Sequence, residues 1–228
     1  MFAQVIQGRT SDPEIIRTAT DRWMEELSPG AEGWLGSTAG VTDDGRFVVV
    51  VRFESADAAR RNSDRPEQGS WWAETSRSFD GEVTFLDSDD VTVELSGDPG
   101  QAGFVQVMQG RVTDADRARK IMTELPPDLM AKYRPDVLGS VMIGADDGRW
   151  VQVVYFTSEA EAREGERKEP PPEFAAMMEE LTRISLGEPT FFDLRTPILL
   201  SSGSPAAVPP PRAASEAETK GRTPTARA

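Results

Sequence analysis

The stretch LGSTAGVTDDGRFVVVVRFESADAAR, residues 35–60, decides the fold, because the chain contains it twice. It aligns without gaps with LGSVMIGADDGRWVQVVYFTSEAEAR at residues 138–163, and 14 of the 26 positions are identical. The Asp-Gly step supplies the positive φ angles of a tight turn, so each copy predicts a hairpin of two strands. The second strand of the first copy, RFVVVVRF, is almost wholly apolar, which is typical of a central strand that is covered on both faces.

Two further blocks repeat on either side of this hairpin. FAQVIQGR at 2–9 matches FVQVMQGR at 104–111, and SRSFDGEVTFLD at 76–87 matches TRISLGEPTFFD at 182–193. Three ordered blocks at nearly constant offset predict a tandem duplication of about 100 residues. The predicted domains are a first unit at 1–95, a linker at 96–103, a second unit at 104–200 and a disordered Pro/Ala/Ser-rich tail at 201–228.

Each copy predicts the same order of elements: strand, helix, hairpin, helix, strand. Ser11 with Glu14 and Ser158 with Glu161 have the spacing of capping boxes that begin helices. A fifth strand is expected in each copy, at 91–95 and at 197–200. The order is that of a ferredoxin-like βαββαβ unit, with helices on one face of its sheet. Two such units can bury their bare sheet faces against each other, so we expect an α+β protein packed sheet to sheet.

Composition excludes several classes of function. The chain of 228 residues has a formal net charge of −14, no histidine and no cysteine. An acidic surface repels phosphate backbones and anionic membranes, so neither nucleic acid nor membrane is expected as a partner. The missing histidine and cysteine exclude Ser-His-Asp and Cys-His catalysis and remove the usual ligands of zinc and haem iron. We expect a cytoplasmic protein with no metal site.

The quoted FAQVIQGR strand, the DDGRFVVVVRF hairpin and the helical region SADAARR…WW resemble the antibiotic biosynthesis monooxygenase (ABM) group of the dimeric α/β-barrel superfamily. The resemblance covers about residues 1–200 as two tandem copies. It implies an intrachain dimeric α/β barrel, either monomeric or dimerised further, with a pocket between sheet and helices in each half. Some members of the group oxidise polycyclic phenols with O₂ and no cofactor, and others degrade haem.

The haem degraders of this group use an asparagine on the first strand, with a tryptophan and a histidine on the helical side. Gln7 and Gln109 lie near the position of the asparagine, and Trp71 or Trp72 is a counterpart of the tryptophan. The histidine has no counterpart, which argues against haem degradation. The resemblance therefore implies a small aromatic or polyketide-like ligand and no cofactor.

Polar residues in the first strand of each copy are the first candidate ligand residues. Gln4 and Gln7 are three apart and face opposite sides of the sheet, as do Gln106 and Gln109. A buried amide must find hydrogen-bond partners. The glutamines therefore either bond each other or the backbone across the pseudo-twofold axis, or one pair orients a polar ligand group.

Side chains that differ between the copies are the second set of candidates. Trp71 and Trp72 either pack the helix or form an aromatic wall for a flat ligand, and their counterparts are methionines. Arg52 interrupts an apolar strand, so it either pairs with a carboxylate or reaches a pocket, and its counterpart Tyr155 is a hydrogen-bond donor. The carboxylates of the two DDGR turns are explained by the hairpins alone.

Two functions stay open from sequence. The first is a cofactor-independent oxygenase for an aromatic substrate, whose base is a substrate phenolate or a perturbed carboxylate. The second is a non-catalytic protein of the same fold that binds a small ligand or a partner. The catalytic residues are not predicted in either case.

Overall fold

The computed structural model describes residues 1–124 and 127–202, with residues 123, 127 and 128 described by backbone only. The elements of the first half are β1 Phe2–Arg9, α1 Pro13–Arg22, β2 Trp34–Val41, β3 Arg46–Phe53, α2 Ala56–Ser63, α3 Pro66–Thr75, β4 Thr84–Ser88 and β5 Val91–Leu95. Those of the second half are β6 Phe104–Arg111, α4 Ala115–Thr123, α5 Pro127–Tyr133, β7 Val137–Gly144, β8 Arg149–Phe156, α6 Glu159–Glu166, α7 Pro172–Ile184, β9 Thr190–Leu194 and β10 Ile198–Ser201. A π-helical segment, Trp23–Leu27, continues α1, and short 3₁₀ turns span Ser28–Gly30, Ser76–Ser78 and Pro99–Gln101. The predicted tail at 201–228 lies outside the described residues from residue 203 onward.

The described strands form two five-stranded sheets with the same topology. Their strand orders are β10-β2-β3-β1-β4 and β5-β7-β8-β6-β9, and every pairing is antiparallel. In both sheets the second strand of the quoted hairpin, β3 or β8, is central, as the composition of the first copy predicts. The predicted α+β fold of two ferredoxin-like units packed sheet to sheet is confirmed.

The fifth strand of each half is exchanged between the sheets. β5 follows β4 in the chain but pairs with β7 of the second sheet, where Val91 lies opposite Ile143. Reciprocally, β10 pairs with β2 of the first sheet, where Ile198 lies opposite Ala39. The repeat predicts the two strands but not their partners. The exchange makes each sheet depend on the other half of the chain for one of its edges.

A single apolar core fills the space between the two sheets. Val5 and Val50 enter it from the first sheet, and Val107 and Val153 from the second, each at most 2% exposed. Alternate residues of each strand point into this core, as the two-residue period of a strand requires. The sheet faces that one ferredoxin-like unit would leave bare are therefore the faces that pack together here.

The other face of each sheet is covered by helices. In the first half Trp23, Trp34 and Phe53 pack there, and the rings of Trp23 and Trp34 meet edge to face at 5.0 Å. In the second half Phe104 and Phe156 occupy the corresponding layer. No helix among residues 1–124 and 127–202 has the length and apolar character needed to cross a membrane.

The helix caps agree with the sequence in one case and differ in another. Ser158 caps α6 by accepting a hydrogen bond from the Glu161 backbone, as predicted. The cap of α1 is Asp12, not Ser11, and it accepts from the backbone of Glu14. Pro13 is the first helical residue, so the cap falls on the residue directly before it.

Candidate functional site

Gln7 and Gln109 bond each other across the two sheets. The Nε2 atom of Gln7 donates to Oε1 of Gln109 at 2.5 Å, and both side chains are half-buried. Val48 and Thr84 flank Gln7 in the ladder, Val151 and Thr190 flank Gln109, and the two amides satisfy one another there. Of the two arrangements considered from sequence, Gln7 and Gln109 adopt the one in which the glutamines bond each other across the pseudo-twofold axis. Both side chains face the core between the sheets and not the helices.

Tyr155 and Arg52 also lie on the inner faces of the sheets. The Tyr155 hydroxyl shares a hydrogen bond of 2.6 Å with the hydroxyl of Thr38, and the residue is 3% exposed. Burial raises the pKa of the Tyr155 phenol, while the Thr38 hydrogen bond and the nearby Arg52 act in the opposite direction. Arg52 makes no hydrogen bond or ion pair with any residue in the described ranges. Tyr155 and Arg52 therefore lie on the faces between the two sheets, on the opposite side of each sheet from Gln4 and Gln106.

Gln4 and Gln106 lie on the helix-facing side and pair with carboxylates of the neighbouring strand. The Nε2 atom of Gln4 donates to Oδ1 of Asp87 at 2.9 Å, and that of Gln106 donates to Oδ1 of Asp193 at the same distance. The partners are directly opposite each other in the ladders of β1 with β4 and β6 with β9. Each half thus carries one amide–carboxylate pair beside its edge strand.

Trp72 belongs to a group of aromatic rings that reaches the surface. The centroid of its ring lies 5.7 Å from that of Phe85, in an edge-to-face arrangement, and 6.2 Å from that of Phe79. Phe85 is 47% exposed although it is a large apolar residue on a strand. We call Trp72, Phe79 and Phe85 the aromatic surface of the first half. It borders the Gln4–Asp87 pair, because Phe85 and Asp87 are two apart on β4 and face the same side.

Trp71 holds two helices together. Its Nε1 atom donates to the backbone carbonyl of Ala19 at 2.9 Å, which ties α3 to α1. Its ring packs against the buried cluster around Trp23. Of the two adjacent tryptophans, Trp71 therefore contributes to packing and Trp72 faces the aromatic surface.

Among its described residues, the second half has no equivalent of the aromatic surface. Met178 stands at the position of Trp72, and Phe191 at the position of Phe85. Both are exposed, at 47% and 44%. The flexible thioether of methionine does not give the flat, rigid face of an indole ring. The two halves therefore differ at the aromatic surface.

Two open clefts lie on the helical layers. One of about 280 Å³ separates α1 from α3 and is lined by Ile15, Ala19, Arg22 and Thr75 among others. The Thr75 hydroxyl is buried there without a hydrogen-bond partner among the described residues. The other cleft, of about 210 Å³, lies beside Asp136 and Glu161 in the second half. Neither cleft includes the predicted glutamine, tryptophan or tyrosine residues.

The carboxylates of the DDGR turns serve the hairpins. Asp44 accepts hydrogen bonds from the Thr42 hydroxyl and from Arg46, and these lower its pKa. The pKa of Asp147 is lowered in the same way by the backbone and side chain of Arg149. Within residues 1–124 and 127–202, no group of three or more potential metal-ligating side chains is close enough to hold an ion.

Sequence reasoning did not select Asp87, Phe79 or Phe85 as candidates. All three belong to the repeated block SRSFDGEVTFLD, and Phe85 and Asp87 recur in the second copy as Phe191 and Asp193. Their recurrence in both copies could therefore have marked Phe85 and Asp87 as candidate residues. What it could not give is the register of β1 against β4, which places Asp87 opposite Gln4.

Three solved structures with this architecture are described as proposed monooxygenases or as an oxidase-like protein. A proposed monooxygenase from Lactobacillus acidophilus aligns with a TM-score of 0.63 at 17% identity, over 89% of this chain and 97% of its own. One from Fusobacterium nucleatum gives 0.69 at 10% identity, over 88% and 94%. An anthrone oxidase-like protein gives 0.64 at 12% identity, over 89% and 94%.

The chain has the fold of these monooxygenase-like proteins. Their coverage includes both halves, so the whole arrangement of two joined units is shared and not only one ferredoxin-like unit. No protein-family model matches the sequence, and no curated protein matches it. At these identities the likeness establishes the architecture, and the function has to be argued from the residues.

Proposed function

We propose that the protein binds a small planar aromatic molecule on the aromatic surface of its first half. The observation that carries this proposal is the half-exposed ring of Phe85, set edge to face against Trp72 at 5.7 Å. Large exposed aromatic rings offer a flat apolar face on which a planar ligand can stack, and fixed polar groups beside them can orient it. The neighbouring Gln4–Asp87 pair supplies those polar groups.

Oxidation of that molecule by O₂ without a cofactor is the reaction class that we propose. Its support is the shared fold, since two of the similar structures are described as proposed monooxygenases and a third as anthrone oxidase-like. For an anthrone, the ring CH₂ becomes a carbonyl, one O₂ is consumed and one water is released. Non-catalytic binding at the same surface is the alternative, and it differs in consuming no oxygen.

The setting that we propose for this activity is the cytoplasm, with no nucleic acid as partner. The formal net charge of −14 supports the exclusion of nucleic acid, because a strongly acidic protein is repelled by phosphate backbones.

The test combines calorimetry with oxygen uptake, using anthrone as the probe. We expect the wild-type chain to bind anthrone and Trp72→Met to weaken binding about tenfold, which corresponds to about 1.4 kcal/mol. Met178→Leu is the matched control in the second half and leaves binding unchanged. Oxygen uptake with anthraquinone formation assigns the oxygenase, and binding without uptake assigns the non-catalytic protein. No binding of anthrone by the wild type would refute the proposal.

A further inference from the structure

In the second half, the guanidinium of Arg163 docks onto the helix-facing side of the sheet. It stacks over the ring of Phe104, with its carbon 5.2 Å from the ring centroid. It also donates a hydrogen bond from Nη2 to Oδ2 of Asp193, whose other oxygen accepts from Gln106. Stacking on an aromatic face together with donation to a carboxylate is the pair of contacts that suits a planar guanidinium.

The first half repeats the ring, the amide and the carboxylate of this arrangement as Phe2, Gln4 and Asp87. We call these three residues the first-half slot. Gln4 lies opposite Asp87 in the ladder of β1 with β4, and its Nε2 atom donates to Oδ1 at 2.9 Å, the same distance as in the second half. Oδ2 of Asp87 accepts from no group among residues 1–124 and 127–202.

The arginine of the first half points away from this slot. Arg60 is the counterpart of Arg163, and its guanidinium pairs instead with Asp57, where both side chains are about two-thirds exposed. The rings show the consequence: Phe104 is 0% exposed beneath its arginine, whereas Phe2 keeps part of its surface in solvent. The ring and the carboxylate of the first-half slot are both accessible to solvent.

Neighbouring residues on each helix explain why the two arginines differ. On α6 two carboxylates, Glu159 and Glu166, form ion pairs with the arginine from four residues before it and three after it. The same two positions of α2 are Ala56 and Ser63, which carry no charge. α2 instead places Asp57 three residues before its arginine and pairs with it along the helix. The sequence of α2 therefore leaves the first-half slot uncovered by its own arginine.

The first-half slot is separate from the aromatic surface. Phe2 precedes Gln4 on β1, whereas Phe85 precedes Asp87 on β4, and the two strands are antiparallel. Phe2 and Phe85 therefore lie on opposite sides of the Gln4–Asp87 pair. A group stacked on Phe2 can reach the carboxylate without occupying the aromatic surface.

We propose that the first-half slot binds the guanidinium group of a ligand from outside the chain, stacked on Phe2 and hydrogen-bonded to Oδ2 of Asp87. The docked Arg163 of the second half is the internal template for this contact. Charge favours it as well, because residues 1–100 carry 20 acidic against 9 basic side chains, and a field of that sign attracts cations. The guanidinium belongs either to a small guanidine or to an arginine side chain of a peptide. This site does not depend on the proposed binding of a planar aromatic molecule.

The test compares N-acetyl-arginine amide with N-acetyl-citrulline amide, which has nearly the same shape but no charge. Titrations of the full chain are followed by NMR through the backbone amides of β1 and β4. We expect the wild type to bind the arginine compound about fivefold more tightly than the citrulline compound. In Asp87→Asn the ratio falls to about one, and in the control Asp89→Asn, which removes an equal charge nearby, it is unchanged.

Methylguanidinium, as a third probe, distinguishes the two sources of the group. Binding as tight as that of the arginine compound supports a small guanidine as the ligand. Weaker binding that still depends on Asp87 supports an arginine side chain of a peptide.

A triple variant separates a specific slot from general attraction of cations by an acidic protein. Ala56→Glu, Asp57→Ala and Ser63→Glu together give α2 the carboxylate pattern of α6. We expect Arg60 then to dock on Phe2 and Asp87 and to abolish the preference for the arginine compound, although the variant is more negative than the wild type. Circular dichroism like that of the wild type shows that each variant is folded.

Three results would overturn the inference. They are equal binding of the arginine and citrulline compounds by the wild type, a preference that persists in Asp87→Asn, and tighter binding of the arginine compound by the triple variant. None of them bears on the binding of anthrone, which tests the proposed function.

Discussion

The hydrogen bond between Gln7 and Gln109 predicts strong thermodynamic coupling between the two halves. Replacing Gln7 with leucine leaves the Gln109 amide half-buried and without its partner. An unsatisfied polar group of this kind costs about 1–3 kcal/mol. Because both side chains keep some access to water, we take the lower end and expect each single Gln→Leu variant to lose about 1 kcal/mol.

The double variant is expected to behave differently. Replacing both partners with apolar groups of similar shape is close to neutral, because no amide is left unpaired. Gln7→Leu with Gln109→Leu is therefore expected to unfold near the wild-type free energy, giving a coupling energy of about 1–2 kcal/mol. In melting temperature, each single variant falls by about 2–4 °C and the double variant recovers most of that loss.

Urea unfolding followed by circular dichroism measures the free energy of unfolding of all four proteins in this double-mutant cycle: the wild type, the two single variants and the double variant. Gln4→Leu with Gln109→Leu is the control, since those glutamines bond different partners and their effects are expected to add. Strict additivity of Gln7→Leu and Gln109→Leu would refute the reasoning. It would mean that the two amides find water or other partners as easily as they find each other.

Three further predictions concern other parts of the chain. Thr75→Val removes a buried hydroxyl that has no hydrogen-bond partner among the described residues. This variant is expected to raise the free energy of unfolding by about 1 kcal/mol in the same urea assay, and a lower free energy of unfolding would contradict the prediction. A chain ending at Thr196 lacks β10, the edge strand of the first sheet with three half-buried apolar side chains, and is expected to lose about 2–4 kcal/mol relative to a chain ending at Ser202. Burial raises the pKa of Tyr155, so its contribution to stability is full below about pH 10 and is lost as the pH rises through the higher folded pKa. Above about pH 10 the free energy of unfolding should therefore fall less steeply with pH for Tyr155→Phe than for the wild type. Parallel pH dependences of the two proteins would argue against a desolvated phenol.

The repeat and its alternation of apolar residues were enough to predict the ferredoxin-like units and their packing sheet to sheet. Both depend on local patterns: an Asp-Gly turn, a central run of valines and caps that begin helices. The exchange of β5 and β10 was not predictable, because a strand of four or five residues carries no signal about which edge it joins. The cap of α1 shifted from Ser11 to Asp12 because Pro13 fixes the first helical residue.

The candidate site was predictable in part. Gln4, Gln106 and Trp72 were selected from sequence, and the structure places Gln4 and Trp72 beside the same edge strand. Arg60 and Arg163 occupy the same position of the repeat but have different partners: Arg60 pairs with Asp57 on its own helix, and Arg163 pairs with Asp193 on β9. The partner of each arginine depends on which carboxylates lie within reach after folding, and neither the residue type nor the spacing of the motif predicts it.

Hydrogen exchange measured by mass spectrometry, with and without anthrone, tests the proposed ligand site most directly. The account predicts slower exchange in peptides that cover α3 and β4, and no change in those that cover α7 and β9. Protection confined to the second half, or equal in both halves, would contradict the assignment of the ligand site to the aromatic surface formed by Trp72, Phe79 and Phe85.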